Sequence, residues 1–203
     1  LATLLGLLAG VALARRSRFW GRTLFVALIT APLVMPDVIT GLSMLLIFVS
    51  LEDLAGWPAG RGADTLTIAH VTFSMTYVAV VVRARLAGFD RALEEAAMDL
   101  GARPLKVFLV ITLPLIAPAI VSGWLLAFTL SLDDLVISSF VTGPGASTLP
   151  IVIYSKVRLG VSPEVNALAT ILIGAVTLGV ILAAWLMARA ERRRTADAQA
   201  AFG

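Results

Sequence analysis

Between Val107 and Leu132 lie 26 consecutive residues without an Asp, Glu, Lys or Arg. Coiled as an α-helix they reach about 39 Å at roughly 1.5 Å per residue, more than the ~30 Å of a bilayer's hydrocarbon core. A surface helix in a soluble domain keeps a polar face, whereas this stretch is apolar all round. Such a segment belongs in lipid, where its backbone groups must bond within the segment itself, so a helix is the expected form. Of the 203 residues, 59% are hydrophobic, and the mean hydropathy is +0.96. The expected fold class is an all-α integral membrane protein, a polytopic helical bundle.

Other apolar runs add spans at 23–51, 66–82 and 167–188, with a partial one at 1–14. Pro32, Pro36 and Gly41 interrupt the second run around Asp37, so a kink or break is expected there. Glu52 to Thr65 is a polar loop, and 133–165 is mixed, with a turn signal at Gly143-Pro144-Gly145. That mixed stretch is read as outer or re-entrant structure. Leu1 is not Met and already lies in an apolar run with no basic flank ahead. The domain is therefore expected to be N-terminally truncated, and 1–14 to close a span instead of forming a signal peptide. One transmembrane domain, 1–188, is expected, followed by a polar tail at 189–203.

Thirteen of the sixteen Lys and Arg residues fall in three groups: Arg15 to Arg22, Arg83 to Lys106, and Arg189 to Arg194. They alternate with the spans, so the positive-inside rule puts the region around 90–101 and the C-terminus in the cytoplasm. Trp20 and Trp185 suit interface anchors. With no cysteine there are neither disulfides nor thiolate metal sites, and a net charge of +3 gives no argument for nucleic acid.

Asp90 to Pro114 reads DRALEEAAMDLGARPLKVFLVITLP, the water-facing stretch between two spans. Leu93, Ala96, Ala97 and Leu100 fall on one helical face, with Arg91, Glu94, Glu95 and Asp99 opposite. Asp90 suits an N-cap, Gly101 a left-handed stop, and Pro104 the first turn of the next helix. Glu95-Ala96-Ala97, Gly101, Ile111 and Leu113-Pro114 match the EAA signature, so this chain resembles the inner-membrane permease subunits of ATP-binding-cassette importers. The resemblance implies the type I importer permease fold. It also implies a coupling helix at 90–101, with Glu94, Glu95, Ala96, Ala97, Asp99 and Gly101 serving a cytosolic ATPase.

No nucleotide site of its own is expected. Lys106 and Lys156 lack a Gly-rich loop before them, and each is followed by Val. No catalytic residue, metal or cofactor is therefore assigned, and ATP would be bound by a partner subunit. The resemblance implies an ATPase dimer, a second homologous permease and an extracytoplasmic solute-binding protein, in a bacterial inner membrane.

Asp37, Asp133 and Asp134 lie in or beside apolar runs. An Asp at the centre of a span costs about 2.5 to 3.5 kcal/mol and usually faces a cavity or a partner. Trp124, mid-span, is a candidate platform for a cation. APLVMPDVITGLSMLL and LSLDDLVISSFVTGPGASTLP resemble the permeases of polyamine importers, putrescine importers most closely. These four residues are thus candidate substrate contacts. An importer of another small solute, or a secondary transporter or channel using Asp37, stays open at this point. An intramembrane hydrolase using Ser122 and His70 lacks a nucleophile-elbow pattern. His70 is read as a polar residue satisfied within the bundle.

Overall fold

The computed structural model describes residues 1–16, 18–160 and 163–179, with Ile181 and Trp185. In chain order come α1 (Ala2–Arg15), α2 (Arg22–Val34), α3 (Asp37–Ala55), α4 (Ala63–Ala87), α5 (Ala92–Asp99) and α6 (Pro104–Val107). A π-helical turn (Phe108–Thr112) then leads into α7 (Leu113–Asp133), followed by α8 (Val136–Val141) and α9 (Leu149–Leu159). A further apolar helix, α10, covers Pro163–Gly179. Among the described residues there is no strand. Among the same residues three helices are long and apolar enough to cross a membrane: α3, α4 and the continuous rod Pro104–Asp133.

The expected span 23–51 is divided. Met35, held extended at φ −78° and ψ 135°, precedes Pro36, whose ring disfavours a helical residue before it. Asp37 accordingly opens α3, where the helix dipole favours a carboxylate, and is exposed instead of lying mid-helix. α3 also runs through Glu52 and Asp53 until Gly56 turns left-handed at φ 68°, so the expected 52–65 loop contracts to 56–62. Thr65 begins α4 early by accepting from the Gly62 N–H at 2.9 Å. Arg83 and Arg85 then extend that helix beyond 82, since Arg is a good helix former.

The first compact unit, 1–151, is built on α4. Phe73 and Ala69 meet Phe48 of α3 and Ile137 and Val141 of α8. Val78, Val82 and Leu86 meet Ile116 and Ala127 of α7. Ala79 meets Leu13 of α1 and Ile29 of α2. α1 approaches closest, through Gly6 and Gly10 one turn apart. A Cβ on Gly6 would stand 2.6 Å from the Met75 carbonyl oxygen and from Val78 Cβ; one on Gly10, 2.8 Å from the Ala79 oxygen. Small residues at this spacing let helix backbones meet where lipid supplies no hydrophobic drive. Gly6→Ala and Gly10→Ala are each expected to cost about 1–3 kcal/mol by overpacking. Thermal unfolding in detergent checks this, with the exposed Leu8→Ala as a neutral control.

α8 is fastened at its C-terminal end, where carbonyls lack intrahelical partners. Thr65 Oγ1 donates to the Val141 oxygen at 2.7 Å, and Arg61 Nη1 to that of Phe140 at 3.2 Å. The expected turn follows. Ala146 N–H donates to the Gly143 oxygen at 3.1 Å, with Pro144 and left-handed Gly145 at the central positions of a type II turn.

In the second unit, 152–203, Lys156 Nζ donates to Glu164 Oε2 at 2.6 Å, and the Arg158 guanidinium lies 5.3 Å from the Tyr154 ring centroid. The expected span 167–188 is helical through Gly179. Its remainder, Ile181 and Trp185 excepted, and the tail 189–203 lie outside the described residues.

Candidate functional site

The segment expected to act as a coupling helix folds as two turns with both ends tied. Asp90 Oδ1 accepts from the Ala92 N–H at 2.9 Å, although the cap position itself is Arg91, one residue later than expected. At the other end Gly101 has φ +84°. Its N–H donates to the Met98 oxygen at 2.8 Å, and the Ala102 N–H reaches back to the Ala97 oxygen at 3.1 Å. That pair of bonds is a Schellman motif, available because glycine has no Cβ to obstruct the left-handed region. The observed helix, Ala92–Asp99, lies within the expected 90–101.

Its orientation is the reverse of a soluble amphipathic helix. Leu93 is 53% exposed and Leu100 89%, and Ala96, Glu95, Met98 and Asp99 are also exposed. Only Glu94 and Ala97 turn partly inward. Exposed apolar side chains at this spacing form a patch of the kind that protein partners cover. Glu94 departs from the expectation that it would stand with Glu95 and Asp99. Its Oε1 pairs with Arg15 Nη2 of α1 and accepts from Thr112 Oγ1 in the π-helical turn. Neither partner is signalled by sequence spacing, for Arg15 lies 79 residues away. The widened turn sits just before Pro114, which has no N–H to offer the preceding turn.

A second polar cluster is half-buried among α4, α7 and α8, with Ser138 its one buried member. Asp134 accepts from the N–H groups of Ile137 at 3.1 Å and Ser138 at 2.7 Å, capping α8. It also accepts from Ser138 Oγ at 2.7 Å and lies 3.2 Å from His70 Nε2. The Ser138 hydroxyl proton is thus committed to Asp134, so Ser138 Oγ accepts from His70 Nε2–H at 2.9 Å. His70 Nδ1 meets Ser131 Oγ at 2.6 Å. The imidazole is therefore fully bonded within the bundle, as expected. Asp133, by contrast, is exposed. Trp124 stacks on Phe128 with ring centroids 5.8 Å apart. It borders a cleft of about 210 Å³ with His70, Ser131 and the buried Ser74. Of the four sequence candidates, Trp124 and Asp134 thus flank His70, while Asp37 and Asp133 stand exposed elsewhere. Ser131 and Ser138 were not singled out by the sequence, since isolated serines in apolar runs carry no pattern.

Long apolar helices around α4, with a short helix that turns its apolar side chains outward, define a polytopic helical membrane protein. The chain belongs to the family of binding-protein-dependent transport system inner membrane components, matched over residues 2–196. It is 64% identical over 200 residues to the putrescine transport system permease protein PotI of Escherichia coli (strain K12), covering 98% of this chain and 71% of that protein. To the spermidine/putrescine transport system permease protein PotC of the same strain it is 46% identical over 189 residues, 93% of this chain and 68% of the relative. The corresponding protein of Haemophilus influenzae (strain ATCC 51907 / DSM 11121 / KW20 / Rd) is 44% identical over 190 residues, with 93% and 70% covered.

Proposed function

We propose that this chain is a transmembrane permease subunit of an ATP-driven polyamine importer, with putrescine the favoured substrate. The observation that carries the mechanism is the outward apolar face of α5, and the similarity to polyamine permeases supports the substrate class. ATP binding and hydrolysis belong to a cytosolic ATPase dimer that seats on Leu93, Glu95, Ala96, Asp99 and Leu100. A second homologous permease completes the pathway, and an extracytoplasmic binding protein delivers the solute. The basic groups around α5 support a cytoplasmic position for that end, in a bacterial inner membrane. Motion of the ATPases favours one access state of the bundle over the other.

Within the pathway, Asp133 and Trp124 are the better substrate contacts: one is an exposed carboxylate, the other an aromatic face on a cleft. Asp37 offers a further exposed carboxylate, but a secondary transporter built on it as a mid-helix ion site loses its premise, because it stands in the first turn of α3. Asp134 belongs with the His70 network.

Uptake of labelled putrescine by vesicles holding the assembled transporter tests the reading. ATP-dependent accumulation is expected, and accumulation driven by an ion gradient without ATP would overturn it. Leu93→Asp with Leu100→Asp is expected to weaken ATPase retention at least about tenfold, since burial of one Leu contributes about 1.5–3 kcal/mol. Co-purification of the ATPase checks this.

A further inference from the structure

α5 has no buried residue, yet it must move the bundle if it is to transmit force. Two backbone links connect it onward, through Gly88 to Arg91 on one side and Leu100 to Arg103 on the other. These bonded turns fix how the chain enters and leaves α5, but they do not tie the middle of the helix to the bundle. A side-chain link would make the helix behave as a rigid extension of the bundle, and Glu94 supplies one. Its carboxylate, 13% exposed, holds the Arg15 guanidinium at the end of α1 and the Thr112 hydroxyl in the π-helical turn that leads into α7. Thr112 is 1% exposed, so its end of the bond is fixed in the core. The Arg15 guanidinium carbon is 5.7 Å from the Phe89 ring centroid, which fixes its position in turn. Val11, Met98, Val107 and Phe108 line the same cleft with Arg15, Glu94 and Thr112. These largely apolar surroundings strengthen charge-assisted bonds.

We infer that Glu94 is a positioning residue that couples displacement of α5 to α1 and to the π-helical turn of the α7 rod, without itself touching the ATPase. The inference rests on the proposed importer reading for its consequence, uptake, but not for its geometry. α1 and α7 both pack on α4, so one carboxylate addresses two helices flanking the central one. The π-helical turn is a natural receiver, because its widened backbone can rearrange without breaking the helix above it.

The test uses the assembled transporter with Glu94→Gln, which keeps size and removes charge, and with Glu94→Ala. ATPase retention and ATP hydrolysis are expected to stay near wild type, while uptake per ATP falls about tenfold, the scale of one lost charge-assisted hydrogen bond. Thr112→Val is expected to give the same split between hydrolysis and uptake. The exchange Arg15→Glu with Glu94→Arg is expected to restore much of the ratio. Because the chain has no cysteine, a spin label at Ala92→Cys, an exposed position of α5 outside the seating residues, reports the order of α5 directly, and its mobility is expected to rise in both Glu94 variants. Loss of ATPase retention in Glu94→Gln would make the residue a docking contact and overturn the inference. Unchanged uptake per ATP with an unchanged label spectrum would overturn it as well. If wild type imports no polyamine while label mobility still rises in the variants, the substrate reading fails and the positioning role of Glu94 stands.

Discussion

Gly101→Val is expected to remove most transport, at least tenfold in ATP-driven uptake, while leaving the chain inserted in the membrane. Gly101 adopts φ +84°, and a Cβ there would meet nothing within 4 Å. The penalty is therefore conformational, not a clash. An L-residue in the left-handed region costs about 1–2 kcal/mol, and a β-branched one more. That strain competes with only two bonds, Gly101 N–H to Met98 and Ala102 N–H to Ala97, each contributing about 0.5–1.5 kcal/mol net. With Val the turn leaves the left-handed region, both bonds open, and Ala102 to Pro104 leave α5 in a new direction. The docking face would then meet the ATPase at the wrong angle. Asn tolerates this conformation better than other residues, so uptake should fall in the order Gly, Asn, Ala, Val. Equal activity of Asn and Val, at equal membrane abundance, would rule out the conformational explanation.

The same residue shows what a single sequence discloses. Gly101 is legible because a left-handed helix stop has a residue preference strong enough to see without coordinates, and the long apolar rod was legible for a similar reason. The break before Asp37 was legible too, since Pro36 disfavours a helical conformation for its predecessor, but its consequence was not. The apolar letters continue on both sides of Asp37, and hydropathy averages across a break that moves a carboxylate from mid-helix to a helix start. The inward turn of Glu94 was hidden differently. Periodicity assigns faces to a helix but does not say which face meets the protein. Here the usual answer inverts, because α5 turns its leucines outward. The partners that reverse Glu94, Arg15 and Thr112, come from distant helices. Likewise the adjacent Asp133 and Asp134 look equivalent in sequence. Only the end of α7 between them sends one outward and the other to His70 and α8.

That separation yields the second large effect, and it divides the two carboxylates by what each should disturb. Asp134→Ala removes the acceptor for two backbone N–H groups of α8, for Ser138 Oγ, and the partner of His70. With a side chain only 9% exposed, stripping one member of such a set costs about 3 kcal/mol or more, because the donors left behind remain buried. Asp134→Asn keeps an oxygen for part of the set and should lose less. The melting temperature of the purified assembly in detergent is expected to drop by several degrees for Ala, on the scale of about 2–4 °C per kcal/mol. Asp133→Asn leaves no buried donor behind and is expected to melt with wild type. If Asp133 attracts the ammonium of an incoming polyamine, its loss should appear as weaker uptake at low substrate, relieved at high substrate and shrinking as salt screens exposed charge. A stable Asp134→Ala with impaired uptake would reverse this assignment, making Asp134 the substrate contact and the α8 cap incidental. The physical asymmetry argues against that outcome. A carboxylate already accepting from three donors and facing an imidazole has little lone-pair capacity left for a passing cation, whereas its exposed neighbour has all of it.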